Sequence, residues 1–135
     1  MPGVFFDTNV LLYLVSSDTA RADRAEAVLA CGGTISAQVL NEFAAVALRK
    51  LALTPAEVTE VLAPIKQVCR GEPLTLATHD RALALVERYR FSWYDALIVA
   101  AALEADCETL HTEDLQHGQR IDNRLTVIDP FADLP

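Results

Sequence analysis

Short apolar runs alternate along the chain with longer stretches in which hydrophobic residues recur every three or four positions. Val4-Phe5-Phe6 is a continuous apolar run of the kind found in strands buried on both faces. Thr34-Ile35-Ser36, Leu74-Thr75-Leu76, Thr109-Leu110-His111 and Leu125 to Ile128 read as further strands. Gly32-Gly33 and Pro73 punctuate two of their starts, and Asp129-Pro130 closes the last. Between them, Leu40, Phe43, Ala44, Ala47, Leu48 and Leu51 follow helical spacing. Thr54-Pro55-Ala56-Glu57 is a capping box with proline at the first helical position. The helix it opens carries Val58, Val61, Leu62 and Ile65, and Pro64 is expected to kink it. Thr78 is expected to cap the next helix, whose apolar residues are Ala82, Leu83 and Val86. Ser92-Trp93-Tyr94-Asp95 opens a helix that is apolar nearly all round, which predicts burial in the middle of the fold.

Strands alternating with helices over short connections imply an α/β fold with a mainly parallel sheet covered on both faces. Ligands of such sheets bind beyond the carboxyl ends of the strands. Asp7 stands one residue past the first predicted strand, and Asp114 stands just past the fourth.

Composition sharpens this picture in a few places. The 135 residues suit one domain with a real core, and a hydrophobic share of 52% fits dense packing of alanine and leucine on helices. The longest apolar run, Ala96 to Leu103, is far too short to cross a bilayer, so no membrane role is expected. No basic segment followed by a hydrophobic stretch marks a secretory signal. Cys31, Cys69 and Cys107 are odd in number and lack a CxxC pair, which argues against disulfides and structural zinc and for a cytoplasmic setting. The formal net charge of −8 excludes nucleic-acid binding by general phosphate neutralisation. Any such role needs local positive charge or bound metal. Arg49, Lys50, Arg81, Arg88, Arg90 and Arg120 are candidates for the former, and solvated faces explain them equally well.

Four acids invite a chemical reading, and each has a plainer one. Asp7, before Thr8-Asn9, can cap the following helix. Asp95, three residues after Ser92, can belong to a capping box or serve the helix dipole. Thr112 can cap a helix with Glu113 and Asp114 in its first turn. Glu42 differs, because Val39, Ala45 and Val46 surround it at helical spacing, and charges are rarely buried without a partner. Two acids at strand ends, one in the first turn of a buried helix and one on an apolar helix can all reach one pocket. Unit charges about 4 Å apart repel by roughly 4 kcal/mol at an effective dielectric near 20. A hard divalent cation removes that repulsion, and Mg²⁺ and Mn²⁺ prefer carboxylate oxygen. His79, His111 and His117 lack ligand spacing, so surface or capping roles are expected of them.

These residues resemble the PIN-domain family, and most closely its VapC-type toxins. The resemblance rests on Val4-Phe5-Phe6-Asp7-Thr8-Asn9-Val10-Leu11-Leu12-Tyr13 and Val39-Leu40-Asn41-Glu42-Phe43. It continues through Trp93-Tyr94-Asp95-Ala96-Leu97-Ile98-Val99-Ala100-Ala101-Ala102 and His111-Thr112-Glu113-Asp114-Leu115-Gln116-His117-Gly118. Each motif is weak alone, and the four in this order are specific. The resemblance implies a three-layer α/β/α fold over residues 1–135, a single nuclease domain cutting single-stranded RNA with Mg²⁺ or Mn²⁺. It implies that Asp7, Glu42, Asp95 and Asp114 are the acidic quartet, with Asp7 and Asp95 the nearest metal ligands. Thr8, Asn9 and Thr112 match the supporting polar positions. It further implies a homodimer inhibited by a small VapB-type antitoxin in a groove walled by the helices spanning residues 36 to 69. Its expected substrates are transfer RNA or ribosomal RNA.

Rival readings fit less well. A phosphoacceptor receiver module wants an acid pair after the first strand and a lysine after the last. A nucleotide-binding fold needs a glycine-rich turn where Asp7-Thr8-Asn9 stands. A non-catalytic metal-binding module would usually lack one of the acids. A PIN nuclease with a housekeeping role in RNA processing is the serious alternative to a toxin.

Overall fold

The computed structural model describes residues 3–135. Its parallel strands are β1 (Gly3–Phe6), β2 (Gly33–Ser36), β3 (Cys69–Glu72), β4 (Cys107–His111) and β6 (Leu125–Ile128). A two-residue strand, β5 (Arg120–Ile121), pairs antiparallel with β6 at one edge. The helices are α1 (Thr8–Leu12), α2 (Thr19–Ala30), α3 (Ala37–Arg49), α4 (Pro55–Val68), α5 (Leu76–Tyr89) and α6 (Trp93–Glu104). They flank the sheet in a three-layer α/β/α architecture, as the strand-helix alternation predicts.

The strand order is β3-β2-β1-β4-β6-β5. The chain first winds outward from β1 through β2 to β3, then returns to lay β4 on the other side of β1. That reversal opens a crevice at the carboxyl ends of β1 and β4, where open α/β sheets place their ligands. Core side chains crowd both sides of this junction. Phe5, Phe6, Val10 and Leu11 at the start of the chain, Ile35 of β2 and Leu110 of β4 are all essentially without solvent contact. In α6 every residue from Ala96 to Leu103 is buried, so the all-round apolar pattern does mark the central helix.

The third strand departs from expectation. Residues 74–76 are not a strand: Thr75 is the N-cap of α5, and its hydroxyl accepts from the Thr78 backbone N–H. Thr78 therefore closes a capping box inside the helix and is not its cap. The actual β3, Cys69-Arg70-Gly71-Glu72, lies at the sheet edge and is only partly covered, so it shows no apolar run. The Thr54–Glu57 capping box is present, and α4 continues through Pro64 without a break. No helix follows β4, so Thr112 is not a helix cap and Glu113 is not a first-turn glutamate. Instead Glu113 accepts a 2.7 Å hydrogen bond from the Tyr13 hydroxyl. Among the described residues, no helix is long and apolar enough to cross a membrane.

Candidate active site

The parallel ladder between β1 and β4 extends one residue beyond the strands. The Asp7 backbone N–H donates to the His111 carbonyl at 3.0 Å, pinning Asp7 at the mouth of the crevice. Its backbone is extended, and its Oδ1 accepts from the Thr8 N–H at 2.6 Å, capping α1. The capping role is thus real, and it leaves the other carboxylate oxygen for different partners. Oδ2 accepts from the Thr112 hydroxyl at 2.7 Å and from the Asn9 amide at 3.4 Å.

Thr112 organises this end of the site. Its backbone N–H is tied to the Ile128 carbonyl of β6, and its side chain is fully buried. Having given its one proton to Asp7, the hydroxyl accepts from Asn9 Nδ2 and from the Asp114 N–H, each at 3.1 Å. One donor and two acceptor sites are then all used. Asn9 Nδ2 also reaches Asp114 Oδ2 at 3.1 Å, while Asn9 Oδ1 is buried with no hydrogen-bond partner.

Asp7, Asp95 and Asp114 converge: each offers a carboxylate oxygen, and these oxygens lie within 4.8 Å of one another. Asp7 is buried, Asp95 half-buried and Asp114 exposed, so the cluster opens to solvent along one side. Asp95 stands in the first turn of α6, where Ser92 caps its N–H at 3.4 Å. Glu42 lies outside the three-acid cluster and joins it through Thr8, whose hydroxyl donates to Glu42 Oε2 at 3.1 Å. All four predicted acids therefore reach one site, three as a group and one at its edge.

The electrostatics follow from this crowding. Burial pushes the Asp7 carboxyl up to about 7, against the hydrogen bonds from Thr112 and Thr8, and the charges of Asp114 and Asp95 push the same way as burial. Glu42 is raised mainly by burial, opposed by Thr8 and reinforced by Asp95. Asp95 is raised by burial and by Asp114, against its bond to Ser92. Among the described residues, no arginine, lysine or histidine forms an ion pair with any of the four. Three hard oxygen donors, mutually repelling and without a cationic partner, fit a divalent ion such as Mg²⁺ or Mn²⁺.

Residues 4–121 match the PIN domain. The chain belongs to the PIN-domain family. Comparison with curated protein sequences gives no match. Among solved structures, the PIN fold seen here is similar to a toxin–antitoxin complex from Klebsiella pneumoniae, with TM-score 0.71 and 22% identity over 95% of this chain and 98% of that one. It is also similar to Mycobacterium tuberculosis VapC20, a sarcin-ricin loop cleaving toxin, with TM-score 0.68 and 22% identity over 83% and 90% of the two chains. FitAcB from Neisseria gonorrhoeae matches with TM-score 0.63 and 18% identity over 96% and 99%. The fold agrees with the sequence-based reading, and of the four predicted acids this PIN domain gathers Asp7, Asp95 and Asp114 in one group.

Some of the site was not legible in the sequence. The double use of Asn9, bridging Thr112 and Asp114, depends on contacts more than a hundred residues apart. Of the three histidines, His79 and His117 keep the surface or capping roles expected of them, and His111 does not. His111 is partly buried and stacks on Phe6, and His117 Nδ1 accepts from the Asp129 N–H at 2.9 Å.

Proposed function

We propose that the protein is a metal-dependent endoribonuclease that hydrolyses phosphodiester bonds in single-stranded regions of RNA, acting as the toxin of a toxin–antitoxin pair. The convergence of Asp7, Asp95 and Asp114 carries this reading. Asp7, Asp95 and Asp114 would hold Mg²⁺ or Mn²⁺, with Glu42 at the edge. When bound, the ion supplies Lewis acidity to a phosphodiester and lowers the pKa of water.

The chain's own residues supply orientation and proton handling. Thr112 and the Thr8 N–H fix both oxygens of Asp7, so the buried carboxylate keeps one direction without rearrangement. Asn9 holds Asp114 beside it. Glu42, set apart from the cluster and steadied at Oε2 by Thr8, is assigned the proton of the attacking water. Burial, opposed by the bond from Thr8, raises its pKa above the ordinary glutamate value, which makes it a better proton acceptor than an exposed carboxylate.

Support for a toxin role comes from the fold-level neighbours, several of which are toxin–antitoxin complexes. On this reading the partner is a small VapB-type antitoxin, the working form is a homodimer, and transfer or ribosomal RNA is the substrate. Purified protein, freed of any antitoxin, should cut single-stranded RNA in Mg²⁺ or Mn²⁺ and lose that activity in EDTA. Asp95→Asn should lower cleavage by two orders of magnitude or more while leaving the circular dichroism spectrum unchanged. Wild-type protein inert in both metals would sink the catalytic claim.

A further inference from the structure

We propose that a recess beside the carboxylates seats one unpaired base of the RNA strand, stacked on Tyr94; this rests on the nuclease reading above. The recess has a volume of about 450 Å³ and is lined by Gln38, Asn41, Glu42, Ala45 and Val46 of α3 and by Tyr94 of α6. Tyr94 immediately precedes Asp95 in the chain and is 58% exposed, although α6 is otherwise the most buried helix. Among the described residues its ring stacks on no other aromatic. A large aromatic face is therefore held open to solvent at the rim of the acidic site.

The chemistry of the lining selects the occupant. Ala45 and Val46 give apolar contact, and the Asn41 amide offers a donor and an acceptor suited to a base edge, while the buried Gln38 is engaged with Glu42. Glu42 is the one charged residue in the recess, and it repels a phosphate but not a neutral base. Glu42 lines the recess and accepts from the Thr8 hydroxyl, and Thr8 and Tyr94 are the chain neighbours of Asp7 and Asp95, so the recess adjoins the three-aspartate cluster. The chain's net charge of −8 makes phosphate contacts a poor source of affinity. Stacking does not suffer from that charge, and every base has a face to offer. A paired base is already stacked within its helix, which accounts for a preference for single strands.

The test uses an oligoribonucleotide carrying one 2-aminopurine, whose fluorescence falls on stacking, either single-stranded or annealed to its complement. Stopped-flow mixing in Mg²⁺ reads binding ahead of cleavage, and a gel reads cleavage separately. Wild-type protein and Tyr94→Phe should quench the single strand and leave the duplex bright. Tyr94→Ala should lose the quench and bind roughly 5- to 150-fold more weakly, with KM raised and kcat little changed. Equal quenching or equal binding by Tyr94→Ala, or equal quenching of the duplex, overturns the base seat. Quenching by wild type without cleavage supports the seat and overturns the nuclease reading alone. Cleavage with a Tyr94→Ala variant as efficient as wild type does the reverse.

Discussion

Asp7 is both a helix cap and the innermost acid of the site, which is why sequence alone left its role open. A cap and a ligand use different oxygens of one carboxylate, and no spacing rule separates them. What does separate them is the environment of the second oxygen. In the open chain a carboxyl of this kind titrates near 3.8, whereas burial holds that of Asp7 at about 7 in the fold. Between those values the metal-free folded protein keeps a proton that the unfolded chain has released. The stabilisation tied to this group is therefore complete below about pH 4 and is lost as pH rises through about 7, a change on the order of 4 kcal/mol. Denaturant unfolding in EDTA should show stability falling from about pH 4 to about pH 7, and Asp7→Asn should remove most of that fall. A variant with the wild-type slope would place the titration elsewhere. Metal binding must displace the same proton, so cleavage should rise over the same interval.

At the scale of elements, the strands that could be read were the ones that carry deeply buried apolar residues. Phe5, Phe6, Ile35 and Leu110 are fully covered, and their apolar runs stand out from the polar turns around them. The edge strand β3 has one covered face at most, so Cys69 to Glu72 resembles a loop, while the Leu74-Thr75-Leu76 run leads into α5. Glycines at the two positions carry the same contrast. A Cβ on Gly33 of β2 would stand 2.7 Å from the Val4 carbonyl oxygen and 2.6 Å from the Phe6 ring. Backbone cannot yield there without shifting β1, the strand that delivers Asp7. Gly33→Ala should cost about 1–3 kcal/mol of stability and reduce cleavage through displacement of Asp7. Gly71→Ala, on β3, meets nothing within 4 Å and should leave activity unchanged. Thermal melts and cleavage rates on the pair check both halves; equal effects at the two sites would mean that β1 adjusts freely.

For the molecule as a whole, the acidic balance that counts against an RNA-binding protein becomes a quantitative expectation once the arginines are placed. Arg21, Arg24, Arg70, Arg88 and Arg124 are each paired with a carboxylate of the same chain. Arg120 is held by Thr126 and the Asn123 carbonyl. Of the candidates for local positive charge, Arg88 and Arg120 are thus already engaged. That leaves Arg49 and Lys50 at the end of α3, Arg81 on α5 and Arg90 just past it, and a strand crossing the site meets one or two of them at most. Neutralising Z phosphates of a single strand gives a slope of roughly −0.7Z when log affinity is plotted against log salt concentration. With metal and one or two free side chains meeting the backbone, the slope should be shallow, about −1. Binding of single-stranded RNA, followed at fixed Mg²⁺ over a range of KCl, measures it directly. A slope near −4 or steeper would require an extended basic surface that this arrangement of charges does not supply, and would move the source of affinity away from base stacking at Tyr94. A shallow slope that stays unchanged in Tyr94→Ala, with affinity reduced, would locate the loss in the uncharged part of the interface.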